Sequence, residues 1–451
     1  VQTEDLKLLL ALEPVWTVSI NGKEFVSQRS EDIEIRESAL RFGRFTRRIR
    51  EIRWLRPNVV RIRTQSRLRA ATETLVFYPG STLPPGAATH QRRRGFQQVL
   101  ARALARYFAS PITRQTLHSD RQHGIGGAYP RFLSASRAII AVHPDESSAV
   151  VNGIMRAAIQ WSAVVRRRIS IVVPARRERT LAARLAVLPG LQAGFDWLQW
   201  DGEEISPMAH PTEEPETHVH NYHEPNVQQE VARICALAPD LLQAALHISS
   251  GAVSIRLRGL EIARVAEEGT AYPMGEPLEP LIARISRDRR HGSRHPLARA
   301  NEESWLESNL IRQIRELLPV RAERIYPQVP SFAGEDRRVI DLLTITDGGR
   351  LAVIEVKASA DPELPFQALD YWLAVERHRK ALDFKARGYF RGVDIRDEPA
   401  LLVMVAPLLA FHRTLDRVIS LFPATVPMML IGINQGWKKE IKVLRRKGSL
   451  G

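Results

Sequence analysis

Hydrophobic and polar residues alternate with a period of two over residues 15–20, Val-Trp-Thr-Val-Ser-Ile, and Asn21-Gly22 follows with hairpin turn chemistry before Phe25 and Val26 return. Similar short alternations at 33–36, 39–42 and 59–64 predict a β-rich segment over residues 1–88. The pattern then changes. Residues 94–108 have helical spacing, 138–142 are a short apolar run, 148–164 are helical, 169–173 are a second apolar run and 179–187 are helical again. Apolar strands alternating with helices predict an α/β segment at 89–206 built on a parallel sheet.

Residues 207–225 are rich in Pro, Glu and His and predict a linker. His210, His218, His220 and His223 lie in it, but their spacing and the missing cysteine partners do not suit a structural metal site. Over 226–295 the pattern predicts a helix at 226–247, a hairpin of 253–257 with 260–265 across Arg258-Gly259, and a basic connector at 284–299. Gly124-Ile125-Gly126-Gly127 precedes no clear helix and predicts a loop, not a phosphate cradle. No internal repeat is evident.

From 296 to 451 the order is plain. Leu306, Leu310, Ile314 and Leu317 mark a helix closed by Pro319. Strands are predicted at 324–329, 338–346 and 350–357, the last two joined by Asp347-Gly348-Gly349. A helix at 365–381, an apolar strand at 401–406, a helix and a strand at 428–433 complete the domain. The expected fold is therefore multidomain α/β, with a β-rich first domain, an α/β middle domain and a C-terminal domain of order helix, three strands, helix, strand.

Composition narrows the function. The 451 residues suit about three domains at roughly 100–200 residues each. No apolar run approaches the about 20 residues that span a bilayer, so no membrane partner is expected. Residues 1–12 lack the basic start of a signal peptide, and the single cysteine, Cys235, excludes an internal disulfide; a cytoplasmic, nucleoid-associated location is the expectation. The net charge of +15 favours polyanions, because Lys and Arg neutralise phosphates and release counterions. Arginines crowd residues 41–69, including Arg47, Arg48, Arg50, Arg53, Arg61 and Arg63, with aromatics between them. Such a face could track a phosphate backbone and stack bases, or simply be a solvated sheet surface. Arg289, Arg290 and Arg294 in the basic connector are further candidates for nucleic-acid binding.

Two carboxylates interrupt apolar strands. Asp341 lies among Val339, Ile340, Leu342 and Leu343, and Glu355 among Val353, Ile354 and Val356. A charge there costs several kcal/mol unless it is paired or bound to a metal. Counting back from the glycine turn places the two nearly opposite each other, and a strand period of two sets Lys357 beside Glu355. Two hard oxygen ligands with room for water and phosphate suit Mg²⁺; ion pairing with Lys357 or an arginine is the structural alternative.

Asp341 followed by Glu355-Val356-Lys357, within this order of elements, resembles the PD-(D/E)XK nuclease superfamily and its restriction-endonuclease-like αβββαβ fold. Gln367 and Tyr371 resemble the Gln-x-x-x-Tyr motif of its RecB-like and archaeal Holliday-junction-resolvase-like branches. The resemblance covers residues 300–435; Ile340 stands where a proline often precedes the aspartate. It implies that Asp341, Glu355 and the Val356 carbonyl hold the metal, with Glu307 assisting directly or through water, and with Glu303 a weaker candidate one turn earlier. Lys357 would orient the attacking water, and Gln367 and Tyr371 would position phosphate or the lysine. His378 is a poor candidate for a base. The implied function is a metal-dependent DNA endonuclease of repair, defence or mobile elements, possibly a homodimer. A catalytically weak nucleic-acid-binding scaffold and a ligand-activated effector cutting RNA or single strands remain as alternatives.

Overall fold

The computed structural model describes residues 6, 7, 10, 15–21, 24–42, 45–56, 59–66, 72–79, 85–119, 128–208, 219–223, 225–248, 250–274, 277–333 and 336–448. The chain divides into two compact units, Val1–Ser110 and Pro111–Gly451. The helix Pro85–Tyr107 therefore goes with the first unit, and the boundary falls after residue 110 where the sequence pattern suggested 88.

The first unit holds one antiparallel sheet of seven strands: β1 (Val15–Ile20), β2 (Glu24–Arg29), β3 (Ile33–Arg36), β4 (Ala39–Phe42), β5 (Phe45–Arg56), β6 (Val59–Ser66) and β7 (Thr72–Pro79), in the order β2-β1-β7-β6-β5-β4-β3. Alternation gives it a core face of Trp16, Val18, Leu40, Phe42, Ile52, Val60, Ile62 and Phe77. The densest arginine run is itself the long strand β5, which the sequence pattern did not mark as an element. The glycine cluster at 124–127 lies outside the described residues.

The second unit begins with a six-stranded sheet: β8 (Arg114–Ser119), β9 (Ala128–Leu133), β10 (Arg137–Ala141), β11 (Arg168–Pro174), β12 (Asp196–Trp200) and β13 (Ile205–Pro207), neighbours in that order. The helix Ser148–Ser162 crosses from β10 to β11, and Arg179–Val187 from β11 toward β12. These two connections make β10, β11 and β12 parallel, as the strand–helix alternation predicted.

A four-stranded antiparallel sheet follows: β14 (Leu242–His247), β15 (Ala252–Leu257), β16 (Leu260–Ala266) and β17 (Gly269–Ala271). Here the expectation of a helix through 226–247 is corrected. The helix spans only Gln228–Cys235, Pro239 cannot continue it, and Leu242–His247 pairs with β15 instead. The basic connector is also corrected, because most of it is the end of the helix Leu278–Asp288 and the turn after it. Of the expected linker, residues 209–218 and 224 lie outside the described residues, including His210 and His218. Tyr222, by contrast, is packed edge-on against Tyr326 and its N–H donates to the Arg387 carbonyl, so this stretch is anchored.

The last part runs helix Glu302–Leu317, β18 (Tyr326–Ala333), β19 (Asp336–Ile345), β20 (Leu351–Val356), helix Leu364–Lys380, β21 (Leu401–Pro407), β22 (Met428–Ile433) and β23 (Val443–Gly448). The three-strand meander is antiparallel, and β20, β21 and β22 are parallel. This is the order of elements expected from the sequence, with β23 added at the edge. Helix Glu302–Leu317 covers one face through Leu306, Leu310 and Ile314, packed on Leu342, Ile354 and Val403.

The other face is not a separate domain's core. Phe366, Leu369 and Trp372 of the helix Leu364–Lys380 share one buried cluster with Ile154, Ile171 and Leu185 of the preceding six-stranded sheet and its helices. The middle and C-terminal domains expected at 89–206 and 296–451 are thus two sheets back to back across a common layer of helices. Both sheets also have the same topology: six strands in sequential order, pairing antiparallel, antiparallel, parallel, parallel, antiparallel, with a long helix after the third strand. The repeat is absent from the sequence pattern and present in the fold.

Candidate functional site

The glycine turn at 347–349 fixes the register of β19 and β20. Ile345 pairs with Leu351 and Leu342 with Ile354, so the next position brings Asp341 to the level of Glu355. The two carboxyls are close enough to shift each other's ionisation, and Asp341 Oδ2 accepts the Val356 N–H at 2.8 Å. The sequence reading of two opposed carboxylates is therefore met by geometry.

Glu355 is fully buried. Its Oε1 accepts a hydrogen bond from Lys357 Nζ at 3.0 Å, while its Oε2 has no hydrogen-bond partner. Lys357 Nζ is also 3.6 Å from Glu303 Oε2, whose side chain is half exposed. Asp341 is part-exposed, so the cluster reaches solvent along the Asp341 and Glu303 side.

Burial raises both central carboxyls. Desolvation lifts Asp341 to about 6, against the pull of Lys357 and the Val356 N–H. Glu355 is raised well above the ordinary range by burial and by the adjoining Asp341. Lys357 is held firmly protonated: burial works against its charge, but Glu355, Glu303 and Asp341 outweigh it. Negative charge is crowded here beyond what one ammonium neutralises.

Glu307, one turn beyond Glu303, is buried and lifted to about 7 by desolvation, with Asp341 adding repulsion. Its partners were not visible in the sequence. Arg256 Nη1, from β15, donates to Glu307 Oε1 at 3.0 Å, and Gln328 Nε2 donates to its Oε2. Gln328 interrupts the β18–β19 ladder between the Pro327–Leu342 and Val329–Ile340 pairs, facing Asp341, and its φ is +53°. Left-handed backbone at a non-glycine residue costs of order 1–3 kcal/mol and persists where the surroundings enforce it. Arg256 Nε donates to Ser254 Oγ at 3.2 Å, two residues before the Arg258-Gly259 turn begins the return strand. A Cβ on Gly259 would lie 2.3 Å from the Ser304 backbone, so glycine alone lets the hairpin seat on the helix carrying Glu303 and Glu307.

Gln367 and Tyr371 meet each other, with Gln367 Nε2 donating to Tyr371 Oη at 3.1 Å on the helix Leu364–Lys380. His378 is engaged elsewhere, its Nδ1 2.6 Å from Asp383 Oδ2, and burial lowers its pKa. Among the described residues no group of three side-chain ligands converges as a metal site. The donors in place are the two carboxylates, with the Val356 carbonyl beside them in the chain.

The arginines separate into classes. Arg47 pairs with Glu73 at 2.6 Å, Arg63 with Glu51 at 3.3 Å, and Arg50 donates to Gln65. Arg53 lies directly across from Arg61, on the face opposite the Ile52–Ile62 core pair. Like charges in register destabilise a ladder, so this face suits an anion. Arg48 and Arg53 are exposed, as are Arg290 and Arg294. Arg289 is corrected: it is fully buried, donates to the carbonyls of Arg258, Leu297, Ala300 and Asn301, and stacks 4.8 Å from the Trp305 ring. It is a structural clamp.

No family model matches the chain, and no curated protein matches it significantly. Among the described residues no helix is long and apolar enough to cross a membrane.

Proposed function

We propose that the protein is a metal-dependent nucleic-acid phosphodiesterase, a DNA endonuclease whose residues 296–451 form a PD-(D/E)XK domain of restriction-endonuclease-like fold. The observation that carries this reading is the Asp341–Glu355 pair with Lys357: two carboxyls level on adjacent strands, one buried oxygen without a hydrogen-bond partner, and an ammonium alongside. A buried carboxyl oxygen without a hydrogen-bond partner, beside a second carboxyl, fits a hard divalent cation. Asp341 and Glu355 would hold Mg²⁺ or Mn²⁺, with the Val356 carbonyl, and Glu307 would assist.

When bound, the cation supplies Lewis-acid stabilisation of charge on the phosphate. The chain's own groups do the rest. Lys357, kept protonated by its carboxylate neighbours, offers positive charge where the phosphate becomes more negative and can orient the attacking water. Glu355 aims that ammonium through its Oε1. Arg256 and Gln328 fix Glu307, so its carboxyl is set before substrate arrives. The exposed Arg48 and Arg53 would hold the nucleic-acid backbone.

The test is cleavage of supercoiled, linear, branched and single-stranded DNA, and of RNA, with Mg²⁺ or Mn²⁺. Asp341→Ala and Lys357→Ala should each lower the rate by several orders of magnitude. Equal activity in all three proteins would overturn the assignment, and cutting confined to RNA would replace the substrate.

A further inference from the structure

The two sheets of the second unit have identical strand order and pairing sense, but only one carries the chemistry. β9 reads Ala-Tyr-Pro-Arg-Phe-Leu and β10 reads Arg-Ala-Ile-Ile-Ala, with no carboxylate in either. Their counterparts in chain order and topology, β19 and β20, carry Asp341 and Glu355. Where the second copy has an acidic pair, the first has apolar side chains, Arg131, which pairs with Ile140 and lies 4.9 Å from the Trp161 ring, and Tyr129, whose hydroxyl donates to the Val150 carbonyl at 2.8 Å.

The vacant copy is fixed to the other by its helices. Arg184, from the helix Arg179–Val187, holds Asp370 on the helix Leu364–Lys380 through two hydrogen bonds at 2.7 and 2.8 Å. The two side chains are 3% and 6% exposed. Arg184 also stacks 5.0 Å from the Phe366 ring. Arg156, fully buried, pairs with Glu363. At Gly153 a Cβ would come 2.7 Å from Tyr129 Oη and 3.3 Å from Glu363 Oε1, so the layers meet without room for a methyl group. Parting them would break both of these buried ion pairs and uncover the apolar layer around them.

The helix so covered is the one bearing Gln367 and Tyr371. Its outer face is taken by residues of the same chain, so a second copy of the protein cannot dock there. Resting on the phosphodiesterase reading above, we propose that each chain is an intramolecular pseudo-dimer: residues 111–207 are a catalytically vacant copy of the nuclease fold standing in a partner's place. One chain then holds one centre. Each binding event adds one water across one phosphodiester bond, leaving a phosphomonoester end and a hydroxyl end on one strand, and the opposite strand stays whole. This replaces the homodimer that the family resemblance allowed.

The experiment uses the full chain, supercoiled plasmid and Mn²⁺ at limiting protein, with light scattering of the same protein alone and on a short duplex. Nicked circles should accumulate nearly to completion before linear molecules form. The rate should rise in proportion to protein concentration, and the scattering mass should be that of one chain in both states. Linear product formed together with nicked circles, a rate rising with the square of concentration, or a two-chain mass would overturn the inference. No cutting in any form would overturn the phosphodiesterase reading and the single-cut assignment with it, whereas concerted double-strand cutting overturns the single-cut assignment alone.

Discussion

Lys357 Nζ donates to Glu355 Oε1 at 3.0 Å, and the other oxygen of the same buried carboxylate meets no donor. One ammonium thus serves half of a group that sits against a second carboxyl, Asp341. Removing the charge should relieve the metal-free protein. Glu355→Gln is expected to raise the unfolding temperature in EDTA at pH 8 and to abolish stabilisation by Mn²⁺. Wild type at a hundredfold excess over Kd should gain about 2.7 kcal/mol. A variant that still gains stability with Mn²⁺ would show that the cation binds elsewhere.

The pH dependence follows from the raised carboxyls. Asp341 moves from 3.8 to about 6 and Glu307 from 4.5 to about 7 on folding. Between the unfolded and folded values the native state binds more protons, so these groups stabilise at low pH and their contribution is lost as pH rises through the folded values. Metal-free protein should lose urea resistance between about pH 4 and 7 on this account. Apparent Mn²⁺ affinity should rise over the same window, because the cation displaces those protons. Urea titrations across pH with EDTA or Mn²⁺ measure both, and parallel curves would contradict the linkage.

Arg256 is the counter-charge that makes a buried Glu307 tolerable. Arg256→Ala should cost about 3–5 kcal/mol, since it leaves an uncompensated buried charge. It should also push Glu307 above its present value of about 7. Adding Glu307→Gln should recover part of the loss. A double variant no more stable than Arg256→Ala would mean that Arg256 acts through packing.

The arginines should divide by where the structure puts them. Arg48→Ala and Arg53→Ala, both on exposed sites, should weaken duplex binding and each reduce the salt slope by about 1 without lowering the melting temperature. Arg289→Ala should do the reverse, lowering stability while leaving the salt slope of the folded fraction intact, because its guanidinium is spent on four backbone carbonyls. Filter binding against salt, with a melting curve for each variant, separates the two.

Period and turn chemistry made the C-terminal order legible: the helix before the meander, the Gly348-Gly349 hairpin, and Asp341 opposite Glu355 all follow from local pattern. Such patterns depend on residues within a few positions of one another, which is why they survive without the fold. Local pattern misread 242–247, where a few apolar residues fit a helix face or a strand equally and only the β15 partner decides. It also misread Arg289, since a basic residue looks solvent-bound until long-range packing surrounds it with carbonyls.

Residue chemistry along the chain thus determined that two acids and a lysine would share a sheet face. Only the tertiary structure decided that Arg256 and Gln328 hold Glu307, and that an earlier sheet of the same topology closes over the helix Leu364–Lys380. Those relations join segments far apart in sequence, and the two sheets share hydrogen-bonding order while sharing almost none of their side chains. Backbone pairing can be kept by any apolar strand, whereas the charge at a site must be set by the particular neighbours that folding brings to it.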